Sequence, residues 1–257
     1  MNSNIIINIP HSSTFIPENF LKRLKINQES LKQELELLTD LYTEDLFTNK
    51  SCNIIKADVS RIVCDIERFR DDKKETMSRV GMGAIYTKTS NGDELIEYDD
   101  AYKSRILSEF YDVYHKKFEN TTNKVLKEYG RCVIIDCHSF SPELLRRLGM
   151  EHSDSPDICI GYEKKFADID ILNTLKMHFE KCGLSVNFNY PYTGSIVPNK
   201  YYAKKDSRVK SLMIEVNKSL YLDENSHKNA NYQRIKDIIQ EAIEKVIAME
   251  KIDTIER

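Results

Sequence analysis

Short apolar runs rich in β-branched residues recur along this chain and alternate with longer amphipathic stretches. That alternation constrains the fold more than any other feature. Ile5–Ile9, closed by Pro10, reads as a first buried strand. Cys132–Cys137, Ile158–Ile160, Leu184–Phe188 and Leu212–Val216 read the same way, with shorter extended runs at Asn53–Ala57 and Arg61–Ile66. Between them, Leu31, Leu35, Leu38, Tyr42 and Leu46 make one helical stripe from Gln28 to about Phe47. Tyr102–Tyr129 has a helical period that Gly130 stops, and Phe166–Phe179 and Tyr232–Met249 are further helices.

Strands that are apolar throughout need cover on both faces, which helices between strands supply. The expected fold is α/β: a three-layer αβα sandwich around a mixed, mainly parallel sheet. No repeat and no Pro/Gly-rich linker divides the 257 residues, so a single domain over 1–257 is expected, long enough for a sizeable core. The acidic stretch Ser90–Asp100 reads as a surface loop or hairpin. GMGAIY at 81–86 reads as a turn, because Tyr86 stands where a dinucleotide loop needs its third glycine.

The net charge of −3 gives no sign of a nucleic-acid or anionic-membrane partner. The most basic segment, Lys200–Lys210, mixes tyrosines with cations and reads as a solvated loop or an anchor for an anionic substrate. With no basic-then-apolar leader and no apolar run of membrane-spanning length, a cytoplasmic location is expected. The six cysteines sit mostly inside apolar runs with no CxxC pair, so they read as small buried hydrophobes, not as bridges or a structural zinc knot.

The chemistry collects where strands end, the usual ligand position in open α/β sheets. Residues 133–140 read VIIDCHSF, an apolar run that finishes on an acid, a thiol and an imidazole. Side chains two apart share a face of a strand, so Asp136 and His138 point together while Cys137 enters the opposite layer. His11 follows the first strand, and Glu215 interrupts the apolar run LMIEV, where an unpaired carboxylate is costly. By the same spacing Arg61, Asp65 and Glu67 share a face if their run stays extended. Histidines with carboxylates have the composition of a catalytic zinc site, with Asp136 orienting His138 from behind and a nearby glutamate free to act as base.

At this point the chain resembles the N-formylglutamate amidohydrolases. The likeness runs through IPHS at 9–12, SRIVCDIERF at 60–69, GMGAIYT at 81–87, DCHS at 136–139, CIG at 159–161, NYPYTG at 189–194, IEVN at 214–217 and SLY at 219–221. The resemblance implies hydrolysis of N-formyl-L-glutamate to formate and glutamate, and a fold similar to the zinc carboxypeptidases and aspartoacylases. Their H-x-x-E element is absent, since Thr14 stands three residues after His11. His138 and Glu215 match the later histidine and the glutamate base.

The remaining carboxylate ligand is then expected at Asp65, where the family pattern places an acid, with Glu67 as the second choice. On this reading His11, Asp65 and His138 hold one zinc ion per chain. Glu215 is the catalytic base, and Arg61 or Arg68 grips the carboxylate of a small N-acyl amino acid. Strand alternation puts those arginines on opposite faces, so only one should reach substrate. Tyr192 and Gly194, in the PYTG turn, are expected in the pocket wall by resemblance alone. The alternatives are a zinc carboxypeptidase or deacylase for another N-acyl amino acid or a peptide end, and a non-catalytic binding homologue.

Overall fold

The structure, a computed structural model, describes residues 3–147, 149 and 155–255. Among these, six strands form one sheet in the order β2-β1-β3-β6-β4-β5: β1 is Ile5–Ile9, β2 Asn53–Lys56, β3 Cys132–Phe140, β4 Ile158–Gly161, β5 Val186–Phe188 and β6 Val209–Asn217. All neighbours are parallel except β4 and β6, so the sheet is mixed and mainly parallel as expected.

The described α-helices are α1 (Glu18–Leu21), α2 (Gln28–Leu38), α3 (Thr43–Phe47), α4 (Asp100–Ile106), α5 (Asp112–Tyr129), α6 (Pro142–Arg147), α7 (Ile169–Lys181), α8 (Asn199–Lys204) and α9 (Tyr232–Ile255). Two hydrophobic clusters lie on opposite faces of the sheet. Ile5, Ile7, Ile9, Val133, Ile135, Cys137, Ile214 and Val216 pack toward α3, α7 and α9. Ile6, Ile134 and Val209 pack toward α4 and α5. Cys137 thus lies in the layer opposite His138, and all six cysteines are free. Among the described residues no helix is long and apolar enough to cross a membrane.

Two local expectations are corrected. Arg61–Ile66 is not a strand but a chain of turns, in which Val63 N–H and Cys64 N–H donate to Ser60 O and Arg68 N–H to Asp65 O. Its apolar residues are buried because the turns cross the end of the sheet over the core, with Ile62, Val63 and Cys64 packed inside. The stripe from Gln28 to Phe47 is two helices: α2 stops at Leu38, and Tyr42 with φ 64° reverses the chain into α3. The break is held by Asp40 N–H donating to His11 O.

One backbone position has no room for a side chain. A Cβ on Gly161, at the end of β4, would collide with the carbonyl oxygen of Gly194 and the side chain of Met213. This lets the turn after Tyr190 lie flat on the sheet, where Cys159 Sγ–H donates to Tyr192 O at 3.2 Å. Gly161→Ala should therefore lift that turn and cost about 1–3 kcal/mol, the range for overpacking. Urea unfolding of wild type and variant checks it; equal midpoints would show that the turn yields freely.

Candidate active site

The parallel register delivers three strand ends at one level. Asn8 pairs with Asp136 across β1 and β3, and His138 pairs with Glu215 across β3 and β6. On the face that carries Ile6 and Ile134 further back, the side chains at this end turn polar: Asn8, Asp136, His138 and Glu215, all buried. His11 lies just past β1, 3% exposed, with its ring centroid 5.1 Å from that of His138.

Each imidazole is gripped from more than one side. His11 Nε2 lies 2.9 Å from Asp65 Oδ1. Asp65, 0% exposed, accepts at Oδ2 from Arg61 Nε at 3.1 Å, Arg61 Nη2 at 2.7 Å and the Tyr86 hydroxyl at 3.0 Å. Burial opposes ionisation of Asp65, but Arg61, His11 and Arg68 outweigh it and hold the carboxyl well below the usual range. His138 Nδ1 lies 3.2 Å from Asp40 Oδ2, and His11 Nδ1 lies 3.7 Å from the same oxygen. His138 Nε2 is 3.1 Å from Asp136 Oδ1 and 3.3 Å from Glu67 Oε2, without a well-directed hydrogen bond to either. Asp136 is itself fixed by Asn8 Nδ2 at 2.8 Å and by Ile196 N–H at 3.1 Å.

The turns carrying Asp65, Glu67 and Arg68 are pinned from behind by the start of α5. His115 Nε2 bonds Ile66 O at 2.8 Å, Tyr111 donates to Arg68 O at 2.9 Å, and Asp112 takes both Nε and Nη2 of Arg70. A π-helical turn over Leu107–Tyr111 joins α4 to α5 and leads directly into these contacts. Such turns often mark functional sites.

Two sets of metal donors surround the imidazole pair. Donor atoms of His11, Glu67 and His138 all lie within 4.8 Å of one another. Asp40 sits on the other edge, facing Nδ1 of both rings. His11 Nδ1, His138 Nε2, Glu67 Oε1 and Glu215 Oε2 are buried without a hydrogen-bond partner. Unsatisfied polar atoms of this kind are costly unless something else binds there. Asp40, Asp65, Glu67, Asp136 and Glu215 crowd this end of the sheet, and among the described residues Arg61, Arg68 and Lys218 are the cationic side chains that line the cavity beside the two imidazoles. A cation bound among these nitrogen and oxygen donors would satisfy them, and the donor set suits zinc.

Glu215 is 6% exposed, and burial pushes its carboxyl up to about 8, against the pull of His138. It borders a cavity of about 320 Å³ that is also lined by His11, Asp40, Arg61, Arg68, His138, Tyr192 and Lys218. Arg61 and Arg68, expected on opposite faces of a strand, instead both turn toward Asp65, because their segment is not extended. Tyr192 reaches the cavity wall; Gly194 is not among the lining residues and lies against Gly161. Asp65 is occupied by Arg61 and Tyr86, and the acid whose donor atom groups with both histidines is Glu67.

Asp40, Tyr86 and Lys218 are absent from the sequence expectation. Asp40 carried the signal that exposed Glu215, a lone acid within an apolar run, LLTDL at 37–41. Lys218, 8% exposed, donates to Leu37 O at 3.0 Å and Thr39 O at 2.6 Å, and burial draws its ammonium down to about 8.

The chain resembles the crystal structure of an N-formylglutamate amidohydrolase from Ralstonia eutropha JMP134 with a TM-score of 0.82 at 18% identity, over 98% of this chain and 95% of that one. It resembles the gene product Atu2144 of Agrobacterium tumefaciens with a TM-score of 0.65 at 18% identity, over 95% and 92% of the two chains. At these identities the likeness is one of fold. No curated protein matches by sequence. The family profile described as N-formylglutamate amidohydrolase matches residues 3–222. The chain therefore belongs to the N-formylglutamate amidohydrolase family.

Proposed function

We propose that this chain is a zinc-dependent deformylase of N-formyl amino acids, with N-formyl-L-glutamate as the leading substrate. The observation that carries the reading is the pairing of Glu215, buried with one oxygen unpartnered, beside two imidazoles that each meet a buried carboxylate. Membership of the family supports the amide chemistry.

His11 decides which donors hold the ion. Its Nε2 is committed to Asp65 at 2.9 Å, so only Nδ1 is free, and the acid facing Nδ1 is Asp40. Asp136 lies 3.1 Å from Nε2 of His138, on the side of the ring where Asp65 meets His11, but without the directed hydrogen bond that Asp65 makes. Histidine ligands commonly set one ring nitrogen on a carboxylate and the other on the metal. We assign His11 Nδ1, His138 Nδ1 and Asp40 as the ligands. Asp65 then holds His11 in place, and Glu67 stands at the substrate side. Zinc at such a site supplies a Lewis acid and brings a water's pKa toward about 7.

The chain's own groups do the rest. Arg68, whose Nε makes no hydrogen bond and only a 3.6 Å contact with Asp65, is the better placed of the two arginines to receive the substrate carboxylate, since Arg61 already gives two nitrogens to Asp65. Glu215 Oε2 takes a proton from the water that attacks the formyl carbon. The C–N bond breaks as that proton passes to the amine nitrogen, giving formate and the free amino acid. Tyr192 and Phe140, whose rings meet edge to face at 6.1 Å, wall the cavity against bulk water.

Elemental analysis should find about one zinc per chain, lost in His138→Ala and Asp40→Asn but kept in Glu67→Gln. Metal loss in Glu67→Gln with retention in Asp40→Asn would transfer the ligand role to Glu67. Glu215→Gln should bind zinc normally yet lower kcat by about a hundred- to ten-thousand-fold, the usual contribution of a general base. Formate release from N-formyl-L-glutamate checks this, and near-normal turnover would remove Glu215 from the role.

The raised carboxyl of Glu215 also has a consequence for stability. Because the folded form binds this proton more tightly than the unfolded chain, stability falls as pH rises from the unfolded value, about 4.3, to about 8. In metal-free protein, Glu215→Gln should therefore gain on wild type across that window, by on the order of 5 kcal/mol at its upper end. Urea midpoints at pH 5 and pH 8.5, with chelator present, test this; a constant gap would mean Glu215 ionises normally.

A further inference from the structure

We propose that Lys218 recognises a second carboxylate on the substrate, that of the amino-acid side chain, and so selects acidic N-formyl amino acids over uncharged ones. The inference rests on the deformylase reading above and assigns a specificity residue within that site.

It follows from which cations around the cavity are already committed. Among the described residues, the cations lining the cavity besides the imidazoles are Arg61, Arg68 and Lys218. Arg61 is bound by Nε and Nη2 to Asp65, which leaves it a structural clamp. Arg68 is only loosely paired, 3.6 Å from Asp65 and 4.0 Å from Glu75, and its planar fork suits a carboxylate. One spare guanidinium can receive one carboxylate. A dicarboxylate substrate needs a second cation, and Lys218 is the one that remains.

Its surroundings support that role. The ammonium is buried, yet its hydrogen-bond partners are two neutral carbonyls, Leu37 O and Thr39 O. An ammonium carries three donors, so one N–H is left over. Burying a charge with neutral partners costs stability that a methionine of similar length would not. The lysine lies just past β6, three residues beyond Glu215, so the strand that carries the base also fixes the cation. It lines both the central cavity and the adjoining groove, with Leu37 and Ser141 shared between the two. A side chain leaving the reacting centre has room in that direction, and Lys218 stands at the junction.

N-formyl-L-glutamate and N-formyl-L-glutamine are nearly equal in size and differ in the charge under test. In the zinc-loaded protein, kcat/KM for both should be measured by formate release on wild type, Lys218→Met and Lys218→Gln. The second variant keeps donors for the two carbonyls, so it decides the matter if the first folds poorly. Wild type should prefer the glutamate substrate. Each variant should lose about 10- to 100-fold of that preference, as expected for one charged hydrogen bond, mainly through KM. Equal loss on both substrates, or no preference in wild type, would overturn the assignment.

Binding of L-glutamate and L-glutamine measured by titration calorimetry on the same proteins gives a readout that needs no turnover. If wild type releases no formate from either compound, the deformylase reading falls alone. The ratio of glutamate to glutamine affinity would still decide whether Lys218 reads the side-chain charge.

Discussion

The bond between Asp65 and His11 is the contact on which the rest of the site depends. His11 stands beyond the end of β1, where no sheet hydrogen bond fixes its ring. Its orientation is set by a carboxylate with no solvent exposure, and that carboxylate is in turn held by Arg61, Tyr86 and the N–H of Glu67. A buried ion pair of this sort is weak evidence for stability, because desolvation takes back most of the attraction. Removing one partner is a different matter, since it strands the others as unpaired buried charges. The network is better understood as specifying one position for His11 at little net gain in folding energy.

The register of β1, β3 and β6 supplies the other half of the arrangement. It fixes His138 opposite Glu215, and Asp136 opposite Asn8, without any loop having to fold correctly. That half was legible in the sequence, because a period of two and a break in an apolar run are local signals. The strands, the opposite placement of Cys137 and the helical stripes follow from the same periodicities. Arg61–Ile66 shows where periodicity fails. Apolar residues there are buried for the same reason as in a strand, yet their backbone groups bond within turns and to Ala84 O. A pattern of burial does not reveal where the N–H groups go.

Asp40 and Lys218 were hidden for a related reason. Each sits where one element ends, and its role depends on a partner far along the chain: Asp40 on His11 and His138, Lys218 on carbonyls about 180 residues away. The lone acid in LLTDL carried a detectable signal, that of a charge that must be paid for, but nothing in it named the partner. The start of α5 was likewise readable as helix, while its grip on the turns at Ile66, Arg68 and Arg70 depends on a π-turn that shifts the phase of the helix.

The carboxylates crowded at this end of the sheet are not neutralised one by one by the cations beside them. Arg61 is spent on Asp65, and Lys218 donates to carbonyls, so neither reaches Asp40, Glu67 or Glu215 with a direct hydrogen bond. Low dielectric then separates carboxylates that began alike: Asp65 is held ionised by its clamp, whereas Glu215, with one oxygen unpartnered, is pushed toward its protonated form. Acids whose environments drive them apart can take different tasks, one fixing an imidazole and the other exchanging a proton near neutral pH. The two-layer core on either face of the sheet supports that arrangement, because it keeps both the clamp and the base out of water.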